Sequence, residues 1–86
     1  MVSIDITCDL MDEDETGLVW TFLHEARDAS LIEPGAIVVV GDAEAPAVAV
    51  VVDIVEKAAG EVVHLQVLPG AIEDYAALVR RAITTA

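Results

Sequence analysis

Four basic residues, one cysteine and three aromatics in 86 positions are what this sequence has least of, and each scarcity excludes something. Against 16 Asp and Glu the 4 Lys and Arg leave a net charge of −12, so the average field repels phosphate. No basic cluster larger than Arg80-Arg81 is present to grip a nucleic-acid backbone or an anionic membrane, and neither partner is expected. A lone Cys8 excludes an intrachain disulfide and an all-cysteine metal centre. The opening Met1-Val2-Ser3-Ile4-Asp5 lacks the charged-then-apolar pattern of a signal peptide. The longest apolar run, Ala45 to Val52, falls well short of the roughly 20 residues that cross a bilayer. A reducing, cytoplasmic location is the expectation.

What is abundant is small and aliphatic: 14 Val, 14 Ala, 7 Ile and 7 Leu. That content predicts a folded core despite the charge, and the length predicts one compact domain over residues 1–86. From Val2 to Leu10, apolar Val2, Ile4, Ile6, Cys8 and Leu10 alternate with Ser3, Asp5, Thr7 and Asp9, the period of a strand with one wet face. Cys8 then falls on the dry face, as an inert thiol. Leu18, Val19, Phe22, Leu23 and Ala26 recur at helical spacing between Thr16, a candidate cap, and the stop Glu33-Pro34-Gly35, so a helix is predicted over Gly17–Ala29.

Three β-rich runs follow: Ala36–Val40, Ala47–Val55 and Glu61–Leu68, joined by Gly41-Asp42-Ala43-Glu44-Ala45-Pro46 and by Glu56-Lys57-Ala58-Ala59-Gly60. They read as an antiparallel meander. In the middle run Val48, Val50, Val52 and Ile54 alternate with Ala47, Ala49, Val51, Asp53 and Val55, so both faces are apolar and the strand is expected to be central. Beyond Pro69-Gly70, the residues Ile72, Tyr75, Ala76, Val79, Ala82 and Ile83 form one stripe of a second predicted helix, Ala71–Thr84. The expectation is an α+β fold in the order β-α-β-β-β-α, an antiparallel sheet of about four strands with two helices. The stretch Glu33-Pro34-Gly35-Ala36-Ile37-Val38-Val39-Val40-Gly41-Asp42, a Pro-Gly turn entering a valine-rich strand, resembles the opening of small SH3-like barrels. That resemblance implies an incomplete barrel as the alternative to an open sheet.

The acidic run carries the most suggestive chemistry. Asp12, Asp14 and Thr16 at first, third and fifth positions with Gly17 at the sixth resemble the start of an EF-hand calcium loop, which implies a divalent-cation site. The twelfth position is Leu23, where that loop uses a bidentate carboxylate, and a strand pattern precedes it in place of an entering helix. Asp12-x-Asp14-x-Thr16 after a strand also resembles the first motif of the haloacid dehalogenase phosphotransferases, implying Asp12 as nucleophile and Asp14 as acid. The sole lysine, Lys57, lies in a turn and a second acidic motif is missing. His24, His64 and Cys8 lack close metal-ligand spacing, and Ser3 and Ser30 sit in no nucleophile elbow. No enzyme and no cofactor are expected.

Trp20 lies off the main stripe of the first predicted helix, where it either packs at the sheet edge or anchors a protein contact. The expected function is a non-catalytic acidic protein-interaction module, a regulator or inhibitor of a basic partner protein, acting as a homodimer. Its contact residues would be Asp12, Glu13, Asp14, Glu15 and Trp20. Alternatives are a calcium or other divalent-cation site at Asp12, Asp14 and Thr16, or an accessory subunit of an enzyme.

Overall fold

The computed structural model describes residues 3–11 and 13–79. Its backbone is a five-stranded mixed sheet: β1 (Ile6–Thr7), β2 (Val19–Phe22), β3 (Ile37–Gly41), β4 (Pro46–Lys57) and β5 (Gly60–Val67), in the spatial order β1-β3-β4-β5-β2. The β4–β5 hairpin is its longest unit. A two-residue turn, Ala58-Ala59, sets Lys57 opposite Gly60, and each step back fixes the next pair until Asp53 faces His64. There the register shifts: Val51 pairs with Leu65, leaving Val52 as a bulge. β3 adds antiparallel to β4, β1 adds parallel to β3, and β2 adds antiparallel to the far edge of β5.

The two edge strands approach each other and curl the sheet into a half-barrel. Thr21 Oγ1 donates to the Thr7 carbonyl at 2.9 Å, and Ile6 forms an antiparallel bridge with Ala26. The inner face buries Ile6, Val19, Val38, Val40, Ala49, Val51, Val63 and Leu65 in one cluster with Ile32. Removing a side chain such as Leu65 from water contributes about 1.5–3 kcal/mol, so this cluster is the main cohesive element. On the opposite face Val39 and Val48 pack with Ile72 and Val79, the segment after β5 folding back over β3 and β4.

One buried carboxylate pins the N-terminal segment. Asp5 is fully buried, its Oδ2 accepting from Val39 N at 2.8 Å and its Oδ1 from Arg27 Nη2 at 3.2 Å. Its backbone donates to Val39 O and accepts from Arg27 N, so a single residue ties β1 to both β3 and the segment after β2. A buried charge is tolerable only when satisfied in this way.

The α+β expectation is overturned: the described residues contain no α-helix, only 3-10 turns at Leu23–Glu25, Ala29–Leu31 and Ile72–Tyr75. The predicted helix over Gly17–Ala29 is instead β2 followed by two of these turns. Val19, Trp20, Thr21 and Phe22 are β-branched or aromatic, poor helix formers that gain more from the free edge of β5. The second predicted helix is a 3-10 turn within its described part, held by Asp74 N donating to Ala71 O and by the Tyr75 hydroxyl donating to Pro69 O. Residues 80–84 of that expectation lie outside the described residues. Of the predicted strand Val2–Leu10, Val2 lies outside the described residues and the described part contracts to Ile6–Thr7; Asp5 is interior and not on a wet face, and the sheet is mixed with five strands in place of four antiparallel ones. The incomplete-barrel alternative survives at the coarse level of a small β-rich half-barrel. No helix among the described residues is long and apolar enough to cross a membrane.

Candidate functional site

The acidic run leads into β2, and its geometry starts from Asp14. Asp14 Oδ1 accepts from Thr16 Oγ1 at 2.6 Å, Thr16 N at 2.8 Å and Leu18 N at 3.0 Å. Asp14 N donates to Leu18 O, and Gly17, at φ 81°, makes the turn between them. The Thr16 hydroxyl, more than the Leu18 and Thr16 amides and His64, holds the Asp14 carboxyl below the usual aspartate range. Thr16 therefore spends its hydroxyl on Asp14. Glu13 bridges to Val19, and both Glu13 and Glu15 are exposed. Asp12 lies outside the described residues. Among the described residues, no group of three or more His, Cys, Asp or Glu is placed to hold a metal ion.

Trp20 sits on β2, not on a helix, and is half-buried. Its cross-strand neighbour is His64, so the two share the outer face, opposite Val19 and Leu65 within the core. Phe22 meets Trp20 edge to face, with centroids 5.6 Å apart at 89°, and His24 stacks on Phe22 at 5.4 Å. Neither Trp20 nor Phe22 belongs to either core cluster of the described residues.

His64 links this aromatic strip to two carboxylates. Its Nδ1 lies 2.5 Å from Asp53 Oδ1, and its Nε2 lies 3.9 Å from Asp14 Oδ2. The fold thus brings Asp14 and Trp20 together around His64, while Glu13 and Glu15 stay on the loop's surface. Sequence reasoning missed the Asp53–His64 pair because plain alternation assigns Asp53 to the face of Ala49 and Val51. The bulge at Val52 moves Asp53 to the outer face. The signal was available: counting back from a two-residue turn at Ala58-Ala59 sets 53 opposite 64.

Two adjoining hollows flank residues 7–9, one where the two sheet edges meet and one against the β3–β4 turn. One hollow of about 290 Å³ reaches from Trp20, Phe22 and Glu25 to Cys8 and Asp9; a second of about 690 Å³ continues from there to Met11, Asp42 and Ala45. Asp9 Oδ1 accepts from Met11 N, and Asp42 Oδ1 accepts from Glu44 N and Ala45 N, so turns fix both carboxylates. Burial pushes the Cys8 thiol up, partly offset by its hydrogen bond to the Gly41 backbone, and the nearby Asp9 and Asp42 charges push it further. Such a thiol stays protonated and is a poor nucleophile. Comparison with family models, with curated proteins and with solved structures finds no match to this chain.

Proposed function

We propose that the chain is a non-catalytic protein-interaction module that presents an acidic surface to a basic partner protein, as a regulator or inhibitor of that partner. The observation that carries this reading is the outer face of β2, where Trp20 and Phe22 lie outside both core clusters with Asp14, Asp53 and Glu25 around them. Aromatic side chains supply contact area at low entropic cost, and the surrounding carboxylates select cationic partners and speed their approach. Of the two described basic residues, Arg27 is engaged by Asp5, which leaves little positive charge to oppose such a partner. Homodimerisation through exposed Val52, Val67 and Leu78 belongs to the same reading.

The test is affinity capture from lysate at low and high salt, with wild type and Trp20→Ala side by side. A captured set enriched in basic proteins, released by salt and lost with Trp20→Ala, supports the reading. A set indifferent to both salt and the substitution overturns it. Sedimentation across a wide concentration range tests the dimer. The divalent-cation alternative relies on Asp12 with Asp14 and Thr16, and calorimetric titration with calcium distinguishes it: no saturable heat removes it.

A further inference from the structure

We propose that the groove formed by the two hollows flanking residues 7–9 binds a short extended peptide segment carrying arginine or lysine, with its cationic heads at Asp9, Asp42 and Glu25 and its aliphatic stems along Trp20, Phe22 and Met11. The proposal rests on the acidic-module reading and gives that partner an address.

Three observations converge on it. The two hollows share Thr7, Cys8 and Asp9 in their linings, so they adjoin, and an extended segment crossing residues 7–9 reaches both. Carboxylates stand along the groove at Glu25, which His24 approaches to 3.4 Å, and at Asp9 and Asp42, while among the described residues no Lys or Arg lines either hollow, so a cationic guest is attracted. Between the charges the walls are apolar or aromatic: Trp20 and Phe22 at one end and the strongly exposed Met11, 90% accessible, at the other. Long cationic side chains suit this alternation, because their methylene stems cover apolar surface while their heads seek charge, and a guanidinium also stacks on indole. Asp9 and Asp42 are held by their own turns, so a guest finds them already placed.

The chain carries its own reporters, since its single tryptophan and single cysteine both line the groove. The probe is a blocked five-residue peptide of alternating arginine and valine, titrated against the full chain. Binding is expected to change Trp20 fluorescence saturably and to slow alkylation of Cys8 by N-ethylmaleimide about fivefold or more, as buried thiols react slowly. The double variant Asp9→Asn plus Asp42→Asn keeps the acceptor oxygens of both turns and is expected to weaken binding about tenfold. Glu56→Gln plus Glu61→Gln, an equal loss of charge at the tip of the β4–β5 hairpin, is expected to change it less than about twofold. Equal weakening by both double variants, or full reactivity of Cys8 under saturating peptide, overturns the groove while leaving the broader acidic-module reading intact. Absence of any binding by the arginine peptide at low salt overturns both.

Discussion

The β3–β5 meander and the N-terminal third of the chain share one apolar core, to which Ile6, Val19 and Ile32 contribute, but their backbones are tied in different ways. In the meander, strands of five to twelve residues pair continuously and bury Val38, Val40, Val51, Val63 and Leu65. In residues 3–32 the described strands have two and four residues, and polar side chains substitute for long ladders: Asp5 to Val39 and Arg27, Thr21 to Thr7, Asp14 to Leu18 and Asp28 to Ser30. Hydrophobic cohesion is non-directional and tolerates neighbouring volume, whereas each of these polar ties has one geometry and no substitute. The contrast teaches where the molecule is brittle, and it is brittle beside the candidate site.

The largest effects are expected at Asp5 and Leu65. Asp5→Ala leaves the buried Val39 N–H without its carboxylate acceptor and frees Arg27, which is half exposed and regains water, a loss on the order of 3 kcal/mol in chemical denaturation. Leu65→Ala, in the meander, should cost about 2–5 kcal/mol through its cavity, and since Leu65 lies opposite Val19 it should loosen β2 together with β4 and β5. Hydrogen exchange separates the two: if Asp5→Ala opens β4 and β5 as much as residues 3–32, the division between regions is wrong.

Next come two glycines with positive φ. A Cβ at Gly41, φ 98°, would lie 2.5 Å from the Ala45 carbonyl oxygen, so Gly41→Ala must shift the loop that carries Asp42. Gly35, φ 89°, has open space around it. Gly35→Ala should cost about 1 kcal/mol from backbone strain alone, and Gly41→Ala at least about 1 kcal/mol more. Equal melting temperatures would show that the loop yields freely and that Asp42 is not fixed by it.

Thr21→Val keeps the shape and removes the hydrogen bond between the sheet edges. About 1 kcal/mol is expected, with faster amide exchange around β1 and β2 and unchanged protection in the hairpin. Unchanged exchange at β1 would mean that the Ile6–Ala26 bridge closes the half-barrel unaided.

The smallest effect concerns acid. Hydrogen bonds from Thr16 and Ser30, first among the causes, lower the Asp14 and Asp28 carboxyls in the folded chain. A depressed carboxyl contributes stability that is present above its unfolded value and is lost as the pH falls through its folded value. Stability should therefore decline below about pH 4, and Asp14→Asn plus Asp28→Asn should flatten that decline. A slope identical to wild type would show that both turns form equally well with protonated side chains.

How much was legible follows the same division. The meander could be read because its signals are local: valine-rich runs, turn residues between them and the Pro-Gly entrance at Pro34-Gly35. The N-terminal third was misread because its partners are remote. Leu18, Val19, Phe22, Leu23 and Ala26 do have helical spacing, but Trp20 finds its neighbour at His64, 44 positions later. Asp5 alternates as a surface residue and is buried because Val39 and Arg27 come to meet it. At the candidate site, the Asp14 turn carried a visible loop signal, whereas the clustering of Trp20, His64, Asp53 and Asp14 required a bulge and a distant strand.

By itself the sequence determined the charge, the absence of a basic patch, the aliphatic core composition and the succession of three valine-rich strands, since each depends on residues counted singly or lying close together. Tertiary structure alone decided that Val19–Phe22 is a strand, that Asp5 is interior, and that Trp20 and Cys8 share a groove with Asp9. Those outcomes turn on which distant edge offers unpaired backbone groups, a competition between non-local contacts that local periodicity does not record.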